Sequence, residues 1–248
     1  MLKPFFCLAA IWNHKQEWTE NLVQLFLNQD YPSKRLILLD DRPQGLISSD
    51  FESLSDVVLY RTTVKFPCLP CKYDEGVTQA GGYGLGDEDK VFVCVMDDDD
   101  LYLPHFLSDH ARVLENYAWS YPNVVFSTYG RKLNIEQSGG RFWASSAYRL
   151  SSLEAIGGYG DSKNMAYDQG FLDRMRRKFG EPGRPARPGY VYNWDMTNDV
   201  HVSAEGGETE SAWYDNSRPS IPKYPFVPKL NETTKWALEQ TKNHPLCK

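Results

Sequence analysis

Apolar residues in this chain gather into short unbroken blocks and into helix-spaced stripes, and the two kinds alternate. The first block, "PFFCLAAIW" (4–12), predicts a strand. "EWTENLVQLFLNQ" follows, with Trp18, Leu22, Leu25 and Phe26 spaced for one face of a helix. "YPSK" breaks that helix, and "RLILLDD" (35–41) is a second block ending in two carboxylates. Blocks that are apolar throughout, and not only at alternate positions, suit a parallel sheet covered on both faces. The order is β-α-β.

The same pattern runs on. Residues 55–63 predict a strand, and 67–90 a glycine-rich loop or weak helix. "KVFVCVM" is the next strand, and 103–116 a helix opened by Pro104. Residues 123–130 and 142–149 predict strands, and "SSLEAIGGYG" a short helix. An amphipathic helix over 168–180 is closed by Gly180. A turn-rich stretch then enters a last strand near 190, and a terminal helix covers 232–242. The expected class is α/β: a single Rossmann-like domain over 1–204, with a mostly parallel mixed sheet flanked by helices. Residues 205–248 form a Pro-rich C-terminal extension, packed on the domain or trailing from it.

Composition narrows the partners. The 248 residues are 41% apolar, enough for one large core, and the net charge is −6. That balance disfavours non-specific binding to nucleic acid or anionic lipid, and leaves the basic run "RMRRKFG" (174–180) as a local patch able to meet phosphate. The five cysteines are odd in number and scattered. Cys7 and Cys94 sit in apolar blocks as buried thiols. "CLPC" (68–71) lacks the second pair a zinc site needs. This usage points to a reducing, cytoplasmic compartment. No apolar run approaches the roughly 18–20 residues that cross a bilayer.

The chemistry lies in "VFVCVMDDDDLYLP" (91–104), where a core strand runs straight into Asp97, Asp98, Asp99 and Asp100. Four adjacent carboxylates repel one another. A solvated acidic turn is the bland account of such a run. The other is a divalent cation at the carboxyl end of the strand, where ligands bind in parallel α/β sheets. "RLILLDD" would bring a second acidic end to the same crevice. In an extended chain, Asp97 and Asp99 share one side and Asp98 and Asp100 the other.

These blocks, in this order, resemble the GT-A glycosyltransferases related to bacterial inverting sugar transferases. The resemblance rests on "FFCLAAIWNHKQEW…LNQDYPSKRLILLDD", then "VFVCVMDDDDLYLP", then "LEAIGGYGDSKNMAYDQGFLDRMRR", and spans about 4–203. It implies a metal-dependent transfer of sugar from a nucleotide-diphosphate sugar, a UDP-sugar being favoured, to an acceptor hydroxyl with inversion. Ala10, Trp12, Asn13, Asp40, Asp41, Lys72, Asp97 and Asp98 would contact the donor. Asp99, with Asp97 and His201, would hold Mn²⁺ or Mg²⁺. Asp168 matches the catalytic base, and Tyr167 stands where the family often has Glu. Trp143 and Tyr167 would border the acceptor, a glycan or a hydroxymethylated DNA base. For Trp143 ordinary core packing is an equal reading, as it is for His201; His110 reads as packing.

The chemistry is coherent on its own terms. A cation stabilises a departing diphosphate, and a carboxylate at a helix start can take the acceptor's proton. The positive end of that helix is expected to lower the pKa of Asp168. A nucleotidyltransferase would use similar paired carboxylates, but the Gly-rich phosphate loop is missing near the N-terminus. A phosphatase with an Asp nucleophile fits less well. A calcium-dependent carbohydrate-binding module would use the acids and aromatics without needing the βαβ unit.

Overall fold

The computed structural model describes residues 2–11, 16–41, 51, 53–80, 91–128, 132–160, 167–193, 230–242 and 244–247. Its strands are β1 (Phe5–Ala10), β2 (Lys34–Asp40), β3 (Val57–Arg61), β4 (Phe92–Val95), β5 (Leu101–Tyr102), β6 (Trp119–Ser120), β7 (Val124–Ser127), β8 (Asn134–Gln137), β9 (Ala147–Arg149) and β10 (Tyr190–Tyr192). Its α-helices are α1 (Gln16–Leu27), α2 (Leu69–Gln79), α3 (Phe106–Leu114), α4 (Leu150–Ala155), α5 (Tyr167–Phe179) and α6 (Glu232–Lys242).

The main sheet has the order β3-β2-β1-β4-β9-β6. β3, β2, β1 and β4 are parallel, and β9 runs antiparallel beside β4. Both faces are covered, as the unbroken apolar blocks require. Phe5, Cys7, Ala9, Leu36, Leu38, Phe92 and Cys94 face a core completed by Leu22, Val23 and Phe26 of α1 and Phe106 and Leu107 of α3. The alternate positions Phe6, Leu8, Ile37, Leu39, Val93 and Val95 face Tyr73 and Val77 of α2 and Phe171, Leu172 and Met175 of α5.

A second sheet, β5-β10-β7-β8, carries a smaller core of Leu101, Leu103, Phe126 and Val191. Ala237 of α6 joins that core, and Asn231 at its start donates its N–H to Asn21 Oδ1 of α1 at 3.2 Å. The terminal helix is therefore docked on the domain.

Several local expectations change. Residues 142–149 hold a 3-10 turn, Trp143–Ser145, ahead of β9. Phe142 is left-handed there (φ 52), so the chain turns before it extends. The weak helix expected in 67–90 is an ordered α2 over 69–79, with Pro70 in its first turn and Cys68 at its N-cap. Cys68 and Cys71 close into a disulfide across that turn, where scattered thiols had pointed to a reducing compartment. Cys7 and Cys94 are buried free thiols, with sulfurs 3.6 Å apart. His110 is core packing: it lies edge-on to Phe106 and bonds Ser120 Oγ at 2.8 Å.

The loop that enters β10 is clamped from α3. Asp109 is buried and accepts from Arg187 Nε and Nη2, both at 2.9 Å, and from Arg112 at 2.8 Å. Gly189, one residue before β10, has no room for a side chain: a Cβ would lie 2.9 Å from the main-chain Cα of Phe106. Gly189→Ala is therefore expected to cost roughly 1–3 kcal/mol, the usual penalty of overpacking. Urea unfolding measures it, and an unchanged midpoint would show that α3 yields at this point.

Candidate active site

The sheet order reverses between β1 and β4. From β1 the chain builds outward through β2 to β3, and then returns to β4 on the other side. A crevice at such a switch point, beyond the strands' carboxyl ends, is where α/β sheets bind ligands. Ala10, Asp40, Asp41 and the four aspartates all follow or end these strands.

At the β2 end, Asp40 and Asp41 are buried. Lys72 of α2 donates to Asp41 Oδ1 at 2.7 Å and to the carbonyl of Ile11 at 3.0 Å. Asp41 Oδ2 accepts the N–H of Phe66 at 3.2 Å. Lys72 thus ties α2 to the ends of β1 and β2.

At the β4 end the chain turns at residues 98–99, with Asp100 N–H directed at the Asp97 carbonyl at 3.4 Å. The turn replaces the alternation of an extended strand. Oxygens of Asp97, Asp99 and Asp100 come within 4.8 Å of one another, and the residue that joins Asp97 and Asp99 is Asp100. Neutral donors hold two of these acids. Tyr73 donates to Asp97 Oδ1 at 2.9 Å, and the Asp97 N–H donates to the Tyr102 hydroxyl at 2.7 Å. Tyr190 donates to Asp100 Oδ2, and Asn193 N–H to Asp100 Oδ1 at 3.1 Å.

The electrostatics follow from crowding. Burial and the neighbouring Asp99 charge push Asp97 up to about 7. Burial, then Asp99 and Asp97, also push Asp98 and Asp100 well above the usual carboxylate range. Three carboxylate oxygens at this spacing form a donor set of the kind a hard divalent cation takes. Asp97 and Asp99 belong to it as the sequence reading had them, and Asp100 is an addition.

Asp168 opens α5 close enough to raise the pKa of Asp97 by its charge. Its own pKa is raised, contrary to the expected helix-dipole effect. Burial is the largest cause and outweighs hydrogen bonds from main-chain N–H groups, among them Gln169 at 2.7 Å. Beside it, Tyr167 lies within the influence of Asp97, Asp168 and Asp99. Trp143 is buried edge-on against Tyr167 (5.3 Å between ring centres) and Tyr73 (5.4 Å), and its Nε1 has no hydrogen-bond partner among the described residues. Asp97, Asp99, Tyr167, Asp168 and Trp143 therefore belong to one neighbourhood. Trp12, Asn13 and His201 lie outside the described residues.

The glycine pair is stitched to α2. Gly158 is left-handed (φ +75), and a Cβ there would lie 2.5 Å from Asp74 Oδ1. Asp74 accepts the N–H of Tyr159 at 2.9 Å. The basic run on α5 is partly committed: Arg174 bonds the Ile156 carbonyl at 2.9 Å, and Arg176 pairs with Asp173 and Glu181. Sequence reasoning passed over Tyr73, Tyr102 and Tyr190; Tyr102, two residues beyond the acidic run, was the available signal.

No protein-family model matches the chain, and no curated protein sequence does. Solved structures match it in shape. A mannosyltransferase, PcManGT from Pyrobaculum calidifontis, in complex with GDP-Man and Mn²⁺, superposes with a TM-score of 0.53 at 15% identity. The fold is of the GT-A type. The match covers 83% of this chain and 60% of the mannosyltransferase, so the chain spans well under two thirds of that enzyme's length. A 4-diphosphocytidyl-2C-methyl-D-erythritol synthase superposes with a TM-score of 0.48 at 12% identity, over 81% of this chain and 93% of the synthase. Among the described residues, no helix is long and apolar enough to cross a membrane.

The raised carboxylates of this GT-A chain set the sign of a pH effect. From the ordinary value of 3.8 up to about 7, folded Asp97 holds a proton that the unfolded chain releases. The metal-free protein therefore loses stability as pH rises through that window. Thermal melts should show this fall, and Asp97→Asn should flatten it. Parallel pH profiles for wild type and variant would show instead that Asp97 is ionised throughout.

Proposed function

We propose that the chain is a metal-dependent glycosyltransferase that moves a sugar from a nucleotide-diphosphate sugar to an acceptor hydroxyl, with inversion. The observation that supports it is the cluster of Asp97, Asp99 and Asp100 at the switch point of a GT-A-type sheet, with Asp168 within electrostatic range of Asp97. The mannosyltransferase with the same fold was captured with GDP-Man and Mn²⁺, which supports a donor and a cofactor of those classes.

Asp97, Asp99 and Asp100 would hold Mn²⁺ or Mg²⁺, and the cation would supply charge neutralisation for the departing diphosphate. Asp40 and Asp41 end the neighbouring strand and would flank the nucleoside, with Lys72 setting the position of Asp41. Asp168 takes the proton from the acceptor hydroxyl. Its raised pKa makes it a stronger base than an exposed aspartate, nearer the optimum for proton transfer at neutral pH. Tyr167 and Trp143 border the acceptor side. The catalytic unit is residues 1–204, with 205–248 as an extension anchored through α6.

The test is turnover of a panel of nucleotide sugars with Mn²⁺, followed as release of nucleoside diphosphate. Release of pyrophosphate from a nucleoside triphosphate instead would make the chain a nucleotidyltransferase. Asp99→Ala is expected to abolish both Mn²⁺-dependent binding of nucleoside diphosphate and turnover. Unchanged binding by calorimetry would remove Asp99 from the metal site.

Asp168→Asn separates a base from a helix cap, because Asn caps a helix as well as Asp does. Transfer at saturating donor should drop roughly 10²–10⁴-fold, with donor affinity unchanged. Near-wild-type transfer would leave Asp168 as a cap.

A further inference from the structure

The acidic turn is gripped by α2 through one hydroxyl. Tyr73 is buried at 1% exposure, and its OH donates to Asp97 Oδ1 at 2.9 Å. The ring that carries this hydroxyl cannot drift. Trp143 meets it edge-on at 73° with ring centres 5.4 Å apart, and Tyr159 packs at the same centre distance. The helix is equally constrained. The Cys68–Cys71 disulfide closes its first turn. Lys72, the adjacent residue, is locked to Asp41 and the Ile11 carbonyl. At Gly76 the helix lies so close to the sheet that a Cβ would come 2.8 Å from Leu39 Cδ1.

Asp97 is thus held at two points. Its main-chain N–H is fixed on the Tyr102 hydroxyl, and its carboxylate is fixed by Tyr73. A carboxylate is free to rotate about its last torsion unless something sets the angle. We infer that Tyr73 is a positioning residue for the metal site: it sets the orientation of the Asp97 carboxylate, so that its oxygens stay within reach of those of Asp99 and Asp100. This rests on the proposed metal-dependent function and deepens it.

The role has a consequence that simple packing lacks. Mg²⁺ is small and exacting in geometry, and Mn²⁺, though more tolerant in geometry, is also smaller than Ca²⁺, which accepts 6–8 oxygens at longer distances in flexible arrangements. A carboxylate fixed in angle holds its oxygens close to those of its neighbours and favours the smaller ion. Loss of the hydroxyl should therefore weaken Mn²⁺ more than Ca²⁺, and so narrow the preference between them.

Tyr73→Phe keeps the ring and its aromatic contacts and removes only the donor. Binding of Mn²⁺ alone, followed by the electron paramagnetic resonance of the free ion, is expected to weaken roughly 10–100-fold, as for other partners of metal ligands. Ca²⁺ affinity, measured by competition, should change less. Wild-type Mn²⁺ affinity in Tyr73→Phe, with Asp99→Ala binding none, would overturn the role of Tyr73 and leave the metal site standing. Equal weakening of Mn²⁺ and Ca²⁺ would reduce Tyr73 to general support and overturn its role in orientation. Wild-type protein that binds no Mn²⁺ at all would overturn the metal site and this role with it.

Discussion

Mutual repulsion among four adjacent carboxylates, where the chain first passes from its main sheet to its second, constrains the structure around them. β4 ends at Val95 in the main sheet, and β5 begins at Leu101 in the second. Met96 and the four aspartates are the whole crossing. Carboxylates brought together away from water disfavour their charged form, so a crossing made of them is held only if the surroundings fix each one. The two sheets do this from opposite sides. Tyr73 reaches Asp97 from the helix on the main sheet, while Tyr190 and Asn193 reach Asp100 from β10 and its end.

Elements far from the crevice matter because they aim those groups. The buried Asp109 pair with Arg187 sets the loop into β10, and Gly189 lets that loop pass against α3. Asn193 then presents its N–H to Asp100 and its side-chain oxygen to Thr128 at 2.8 Å. On the other side Asp74 ties the glycine pair to α2, the helix that carries Tyr73. The two acidic strand ends are cross-braced by consecutive residues of that helix, Lys72 to Asp41 and Tyr73 to Asp97.

The main sheet was legible because each strand is apolar throughout and each helix shows its stripe; periodicity needs only enough length to be seen. β5 and β6 are two residues long and can show no period, so both escaped, β5 from the second sheet and β6 from the edge of the main one. β9 escaped in part, because a left-handed Phe142 converts half of an apolar run into a turn. The acidic run announced the site. Its alternation did not, since residues 98–99 turn and Asp100 comes round beside Asp97 and Asp99. Tyrosines that orient carboxylates read in a sequence like any core aromatic. The hydroxyl's partner is set by tertiary contact alone, as with Tyr73 and Asp97, 24 residues apart.

Two uses of a buried aspartate stand side by side in this chain, and their partners separate them. Asp109 is buried against the guanidinium groups of Arg187 and Arg112. These overcome the cost of burial and hold its pKa below the ordinary value. Its charge is satisfied within the protein, which is the signature of a structural clamp. Asp97 and Asp100 bond tyrosine hydroxyls and main-chain N–H groups, donors that carry no net charge. Such donors orient a carboxylate without supplying a full positive charge, and burial drives both pKa values up. An arginine in place of Tyr73 would stabilise the folded chain more simply, and would also compete with any cation for the same oxygens. A cluster kept in register by neutral hydroxyls keeps its oxygens open to an added positive charge, which is what the proposed cation would supply.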